Sequence, residues 1–294
     1  MSDPSRSARG SGVAHPRVAA IIPARLGSRR LPRKVLAKET GKYLVQHVYE
    51  RVAGCPGVDL VMVATDSQEV VDACRSFGAR VELTSPDHAS GSDRVAEVAR
   101  GLDHEVIINV QGDEPLIAHA DLTQLIALFP VDELRARSVP ALGDVVMTTL
   151  VSPRSDLDGF LDPNIVKAVV ARSGDALYFS RSPVPHDAAV ASRLLLAGKA
   201  GAGDSPPVGR VEWYQHIGIY GYRRPFLLQL AGLPQSPLEK RERLEQLRVL
   251  ESGYRIRVGV TRGRHLGIDT EEEYAGFVRE YLTRPEETRA KRRS

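Results

Sequence analysis

Cysteine is scarce in this 294-residue chain, with Cys55 and Cys74 as the two thiols. Two thiols make neither a disulfide framework nor a zinc site. Both sit in apolar, helix-like stretches that suit inert groups. No apolar run reaches the roughly 18 residues of a spanning helix, so no membrane insertion is expected. Residues 1–16 are Ser/Gly/Arg/Pro-rich without an apolar core and read as a disordered leader, not a signal peptide. A cytoplasmic protein follows as the expectation. Lysine is scarce too, at seven of the 40 basic residues. The excess of Arg, with abundant Ala, Gly and Pro, is associated with GC-rich genomes; physically, the Arg fork suits phosphate and carboxylate. A formal net charge of +3 is too small to argue for a nucleic-acid partner.

What is present suffices for a core: 42% hydrophobic and 26% charged residues are ordinary for a globular chain. The length allows one large α/β domain or two smaller ones. Val18–Pro23 reads as a first buried strand. Strands follow at 58–65 and 79–83, with helices near 44–52 and 68–77 between them. This short-interval alternation signals a parallel, doubly wound sheet. Val106–Ile108 is a further buried strand, ending in Asn109-Val110-Gln111-Gly112-Asp113-Glu114-Pro115. A strand that delivers carboxylates to its C-terminal edge stands where open α/β sheets bind ligands. Asp113 is therefore a candidate metal ligand, although a polar turn accounts equally for Gly-Asp and Glu-Pro.

The loop Ala24–Lys34 carries five cations with Gly and Ser. Placed after the first strand, it suits phosphates, or is a solvated basic turn. It has neither the Walker A spacing nor a dinucleotide fingerprint. Asp66 or Ser67 reads as an N-cap, with a ligand role for Asp66 as the alternative. Asp87–Arg94 opens a helix through Val95, Val98 and Leu102, and its small residues serve capping or ligand contact equally well. A helix is expected near 120–129 and a strand over 145–151. Residues 166–181 read as a β-hairpin around Ser173-Gly174-Asp175. Residues 188–210 read as a mobile excursion, and 212–222 as a strand with His216, Tyr220 and Tyr222 on one face. His216 is either a packed residue or a ligand contact. Leu238–Leu250 reads as one helix, with Leu244, Leu247 and Leu250 inward. Glu242, Glu245 and Gln246 share another face at i, i+3, i+4, either solvated or functional. After a strand at 255–261, Thr270 and Glu273 form a capping box for the last helix. Asp269 just precedes that cap, where it complements the helix dipole or binds a ligand. Residues 17–284 form the folded unit and 285–294 a basic tail.

Nine stretches together resemble one family, the 3-deoxy-manno-octulosonate cytidylyltransferases, or CMP-Kdo synthetases. They are IIPARLGSRRLPRK (21–34), VATD (63–66), DHASGSDR (87–94), NVQGDEP (109–115), NIVKAV (164–169), ALYFSR (176–181), HIGIYGY (216–222), PLEKRERLEQLRVLESG (237–253) and GIDTEEE (267–273). The resemblance spans roughly residues 18–283. It implies a GT-A-like, Rossmann-like nucleotidyltransferase fold, mainly parallel with helices on both faces. A small β-rich dimerisation and acceptor region, about 164–222, and a homodimer are also implied. The implied reaction joins CTP to 3-deoxy-D-manno-octulosonate (Kdo) or an analogue, giving a CMP-sugar and diphosphate.

The resemblance also implies residue roles. Asp113 and Asp269 would hold one or two Mg²⁺ ions, consistent with the absence of a His/Cys cluster that would favour a softer metal. Arg25, Lys34 and, more weakly, Arg30 would hold the triphosphate. Ser90, Gly91 and Arg94 would lie on the nucleotide side, and Gln111 near the base. Arg181 would bind the acceptor's carboxylate, while His216, Tyr220, Glu245 and Gln246 read its hydroxyls. Two departures bear on the acceptor side and the loop. Arg33 stands where the family has Gly, and Val184-Pro185-His186-Asp187 replaces the family's Ile-Pro-aromatic run. They leave phosphonoformate as an alternative acceptor. A catalytically silent nucleotide-binding protein is the alternative of a different class.

Overall fold

The computed structural model describes residues 15–27, 30–88, 90–130, 134, 139–188, 211–263, 265 and 267–283. Most of the expected leader and excursion, and all of the basic tail, lie outside them.

Strands β1 (Val18–Pro23), β2 (Leu60–Thr65), β3 (Val81–Leu83) and β4 (Val106–Asn109) pair in parallel, in the order β3-β2-β1-β4. Beyond β4 comes β8 (Trp213–Arg223), antiparallel to it and to β5 (Val145–Arg154). β9 (Arg255–Val260) then runs parallel to β5. Two successive antiparallel pairings restore the original direction, so β1, β4, β5 and β9 all end at one edge. The expected hairpin is present as β6 (Lys167–Val170) and β7 (Ala176–Ser180). β6 pairs with β8, so this β-rich part continues the main sheet.

Alternation along β1 decides which helices lie on which face. Val18, Ala20 and Ile22 pack with α1 (Leu44–Ala53), α2 (Gln68–Ser76) and α4 (His119–Ala127). Ala19 and Ile21 pack on the other face, with α3 (Gly91–Arg100) and α6 (Arg224–Leu230). Each fully buried Val, Leu or Ile contributes about 1.5–3 kcal/mol, which the two faces share. The continuous apolar run of β4 is explained by burial on both sides: Val106 and Ile108 face one cluster and Ile107 the other.

Two short helices escaped the sequence reading, α5 (Leu157–Leu161) and α6. The expected single helix over 238–250 is instead two, α7 (Pro237–Glu242) and α8 (Gln246–Glu251). The break is at Arg243, whose φ of 56° is left-handed. It frees Leu244 and Leu247 to bury while Glu245 turns to a different surface from Glu242. A buried pair spans the break: Glu239 accepts from Arg248 Nε at 2.7 Å and Nη2 at 2.6 Å. The last helix, α9 (Glu271–Thr283), packs Tyr274 and Phe277 on Leu44.

Candidate active site

Three loops converge at the shared strand edge. The loop after β1 leads to Lys34, which opens a 3-10 turn over Lys34–Leu36. The loop after β4 carries Asp113, and the segment after β9 carries Asp269. Backbone contacts fix this approach. A Cβ on Gly112 would lie 2.9 Å from the Pro23 carbonyl oxygen, so the β1 end and the Asp113 loop meet main chain to main chain. The Ile268 N–H donates to the Asp113 carbonyl at 2.9 Å.

The Lys34 ammonium donates to Asp113 and, at 2.8 Å, to Asp269, with the Ile268 carbonyl a third acceptor at 3.1 Å. Burial works to lower its pKa, but the charge and hydrogen bonds of the two carboxylates outweigh that and raise it. Burial likewise opposes ionisation of Asp269, and Lys34 and Arg30 overcome it, leaving its pKa lowered. Arg30 donates to Asp269 at 2.7 Å. A cation thus already lies between two carboxylates. Both donors are hard oxygens, and no group of three His/Cys/Asp/Glu side chains converges among the described residues. The set fits Mg²⁺, which takes one or two carboxylates and fills its sphere with water and phosphate oxygens. Glu114 beside it is pushed up to about 8 by burial and the nearby charges of Asp113 and Asp121. A neutral carboxyl supports the loop without adding a charge.

Next to this centre is a pocket of about 210 Å³. Gly91, Gln111, Tyr220, Glu245 and Gln246 line it, with Arg243 at the helix break. Burial raises the Glu245 pKa, against hydrogen bonds from the Ser92 and Ser90 hydroxyls and the charge of Arg248. Among its polar lining residues most are neutral hydrogen-bonding groups, able to read hydroxyls.

The cytidylyltransferase family model matches residues 19–256. A Geobacter metallireducens protein named 3-deoxy-manno-octulosonate cytidylyltransferase is 47% identical over 86% of this chain and 93% of its own length. The protein of that name from Syntrophotalea carbinolica is 44% identical over 87% and 95%. Among solved structures, a CMP:2-keto-3-deoxy-manno-octonic acid synthetase complexed with CTP aligns with a TM-score of 0.75. It is 35% identical, covering 90% of this chain and 98% of that one. The chain belongs to the CMP-Kdo synthetase family. It is therefore a nucleotidyltransferase of the cytidylyl-transferring kind.

Several residues that the family resemblance singles out are brought together: Lys34, Arg30, Asp113 and Asp269 at the charged centre, and Gly91, Gln111, Tyr220, Glu245 and Gln246 around the pocket. Arg25 is exposed in the loop after β1. Ser90 caps α3, accepting from Asp93 N in a full capping box. Tyr220 and Tyr222 lie on the face of His216, with ring centroids 5.5 Å (His216–Tyr220) and 6.1 Å (Tyr220–Tyr222) apart. That parity survives a bulge because β8 gains two residues opposite Thr149 and Leu150.

Other expectations need correction. Arg94 is not on the ligand surface: it is 0% exposed, and its guanidinium is held by Thr84 and, at 2.7 Å, by Asp66. Buried charge demands such pairing, so Arg94 positions the start of α3. Asp66 is accordingly no helix cap; Ser67 has the N-cap position, without a side-chain cap bond. Arg181 does not line the pocket, because its Nε and Nη1 donate to the carbonyls of Glu242 and Pro163, both at 3.1 Å. His216 lies beneath Tyr220, its Nε2 hydrogen-bonded to Thr149 at 3.0 Å, and burial takes its pKa down to about 3. Glu242 is neither solvated nor in the pocket: it accepts from Ser180 and from the Arg181 N–H. Arg243, Asn109 and Ser92 line the pocket and were missed. Asn109 and Ser92 stand inside motifs already quoted, whereas nothing in the run KRERLEQ announces a left-handed Arg.

Proposed function

We propose that this enzyme transfers the cytidylyl group of CTP to Kdo, with Mg²⁺, releasing diphosphate. The observation that carries the reading is the Lys34 ammonium bridging Asp113 and Asp269 at the shared strand edge. The names of relatives up to 47% identical, and a pocket with several hydroxyl-reading groups, support Kdo as the acceptor. Phosphonoformate carries no sugar hydroxyls for Tyr220, Glu245 and Gln246 to read, so the pocket favours the sugar acid.

Asp113 and Asp269 hold the metal, and Lys34, Arg25 and Arg30 hold the triphosphate. Held by these carboxylates, Mg²⁺ would supply neutralisation of the phosphate charge. Gly91 leaves open space at the start of α3, where its absent Cβ would come no nearer than 3.7 Å to Pro23; the nucleoside lies there, with Gln111 beside the base. Tyr220, Glu245 and Gln246 orient the sugar so that its C2 hydroxyl faces the α-phosphate. In the transfer the hydroxyl oxygen forms a bond to the α-phosphorus and gives up its proton to solvent. The α–β anhydride bond breaks and diphosphate leaves. Phosphoryl transfers of this kind depend on positioning and charge stabilisation, not on covalent help from the protein. The functional enzyme is a homodimer that pairs through the hairpin region. Diphosphate release from CTP and Mg²⁺, with Kdo compared against phosphonoformate, tests the acceptor; no release with Kdo sinks it.

A further inference from the structure

The segment that delivers Asp269 also borders a second cavity, of about 460 Å³. Ser152 and Arg154 come from the end of β5 and Gln215 from β8, while Arg262 and His265 follow β9. None of these lines the 210 Å³ pocket or hydrogen-bonds to Lys34, Asp113 or Asp269.

The lining is cationic. It contains two arginines and a histidine but no carboxylate. Arg154 donates its Nε to Gln215 Oε1 at 2.8 Å, which leaves the Gln215 amide N–H groups free to donate. Among the described residues Arg262 has no acidic partner. The His265 side chain is only 7% exposed, yet neither ring nitrogen has a hydrogen-bond partner. Its Nε2 lies 3.4 Å from Asp121 Oδ2, and the residue lines the cavity. An unsatisfied buried polar atom costs about 1–3 kcal/mol, so this imidazole is suited to an acceptor that enters from outside.

We propose that this cavity is an oxyanion site for a phosphate-class dianion, separate from the catalytic centre. Two guanidinium groups bring two positive charges to a lining without a carboxylate, and His265, whose charged form burial disfavours, can donate as a neutral imidazole. Guanidinium forks and phosphate oxygens match in geometry as well as charge. A monocarboxylate would satisfy half of that charge. The site does not depend on which acid receives the cytidylyl group. Free phosphate and the diphosphate product share the chemistry, and both are probed.

The test is calorimetric titration of the full chain with inorganic phosphate, and separately with diphosphate, without Mg²⁺. Lys34→Ala removes the principal cation of the catalytic centre. The double variant Arg154→Ala/Arg262→Ala removes two exposed cations outside the core. Phosphate affinity should stay within twofold in Lys34→Ala and fall at least tenfold in the double variant. His265→Gln, with its thermal midpoint measured alongside, should weaken binding by severalfold. Diphosphate binding lost in the double variant identifies the product as an occupant, and phosphate binding alone identifies the free ion. The proposal is overturned if the wild type binds neither anion, or if Lys34→Ala abolishes binding that the double variant keeps.

Discussion

The Ile268 N–H donates to the Asp113 carbonyl at 2.9 Å, tying together the two chain segments that bear Asp113 and Asp269. Asp113 and Asp269 are 156 positions apart in sequence, yet their side chains share one ammonium, that of Lys34. Because the main chain holds the two segments, either side chain can be removed without losing the arrangement. Asp113→Ala and Asp269→Ala are each expected to lower turnover at least a hundredfold while keeping the wild-type circular dichroism spectrum. Near-normal turnover in either variant would remove that residue from the metal site.

Arg33 has φ 60° just before Lys34 and pairs with Glu69 across an exposed surface. A left-handed conformation costs an L-residue roughly 1–2 kcal/mol, and an exposed ion pair returns about 0–1 kcal/mol. Arg33→Gly should therefore leave stability within about 1 kcal/mol of wild type, given the greater freedom of Gly when unfolded. Arg33→Val, β-branched, should lose more than Arg33→Gly in urea unfolding. The reverse order would mean that the Glu69 pair dominates.

Glu239 accepts two hydrogen bonds from Arg248, and both side chains are buried. Arg248 also donates to the carbonyls of Leu230 and Leu233, so it cannot swing out to water without losing four bonds. Glu239→Ala strands that charge, at a cost of about 3–5 kcal/mol. Chemical denaturation measures this directly, and a loss below about 1 kcal/mol would show that the pair is incidental to the broken helix.

Much of this was legible in the sequence. The alternation of β1 through β4, the hairpin, the final capping box and the Asp113 strand edge follow from periodicity and turn residues, which are local. What was not legible depends on contacts between distant residues. The family resemblance puts Arg94 on the nucleotide side, and its helix-start motif serves capping or ligand contact equally well. Only the fold brings Asp66 and Thr84 to it. The break at Arg243 is similar: helix periodicity runs unbroken through 238–250, and tertiary burial of Leu244 and Leu247 overrides it. Arg181 stood in a family motif, but carbonyls at positions 163 and 242 hold its side chain.

His47 and His216 are both buried, mainly for that reason lowered to about 4 and about 3. Their folded pKa values lie below the unfolded value of about 6.5, so below pH 6.5 the unfolded chain binds protons that the folded chain does not. Stability from this source is whole above pH 6.5 and falls as pH drops toward 4 and 3. Between pH 6.5 and 5.5 the loss is about 1 kcal/mol for each histidine. Thermal unfolding at pH 7.5, 6.5 and 5.5 should show a shallower acid decline in His47→Gln than in wild type. Equal slopes would contradict the burial account.

The central claim is that Lys34, Asp113 and Asp269 serve cytidylyl transfer to a sugar acid read by Tyr220, Glu245 and Gln246. Its most direct test is a continuous diphosphate-release assay with CTP and Mg²⁺, run with Kdo and with phosphonoformate. Release is expected with Kdo and not with phosphonoformate, and a chelator should abolish it. Release with phosphonoformate alone, or release with Kdo that survives the chelator, would contradict the account.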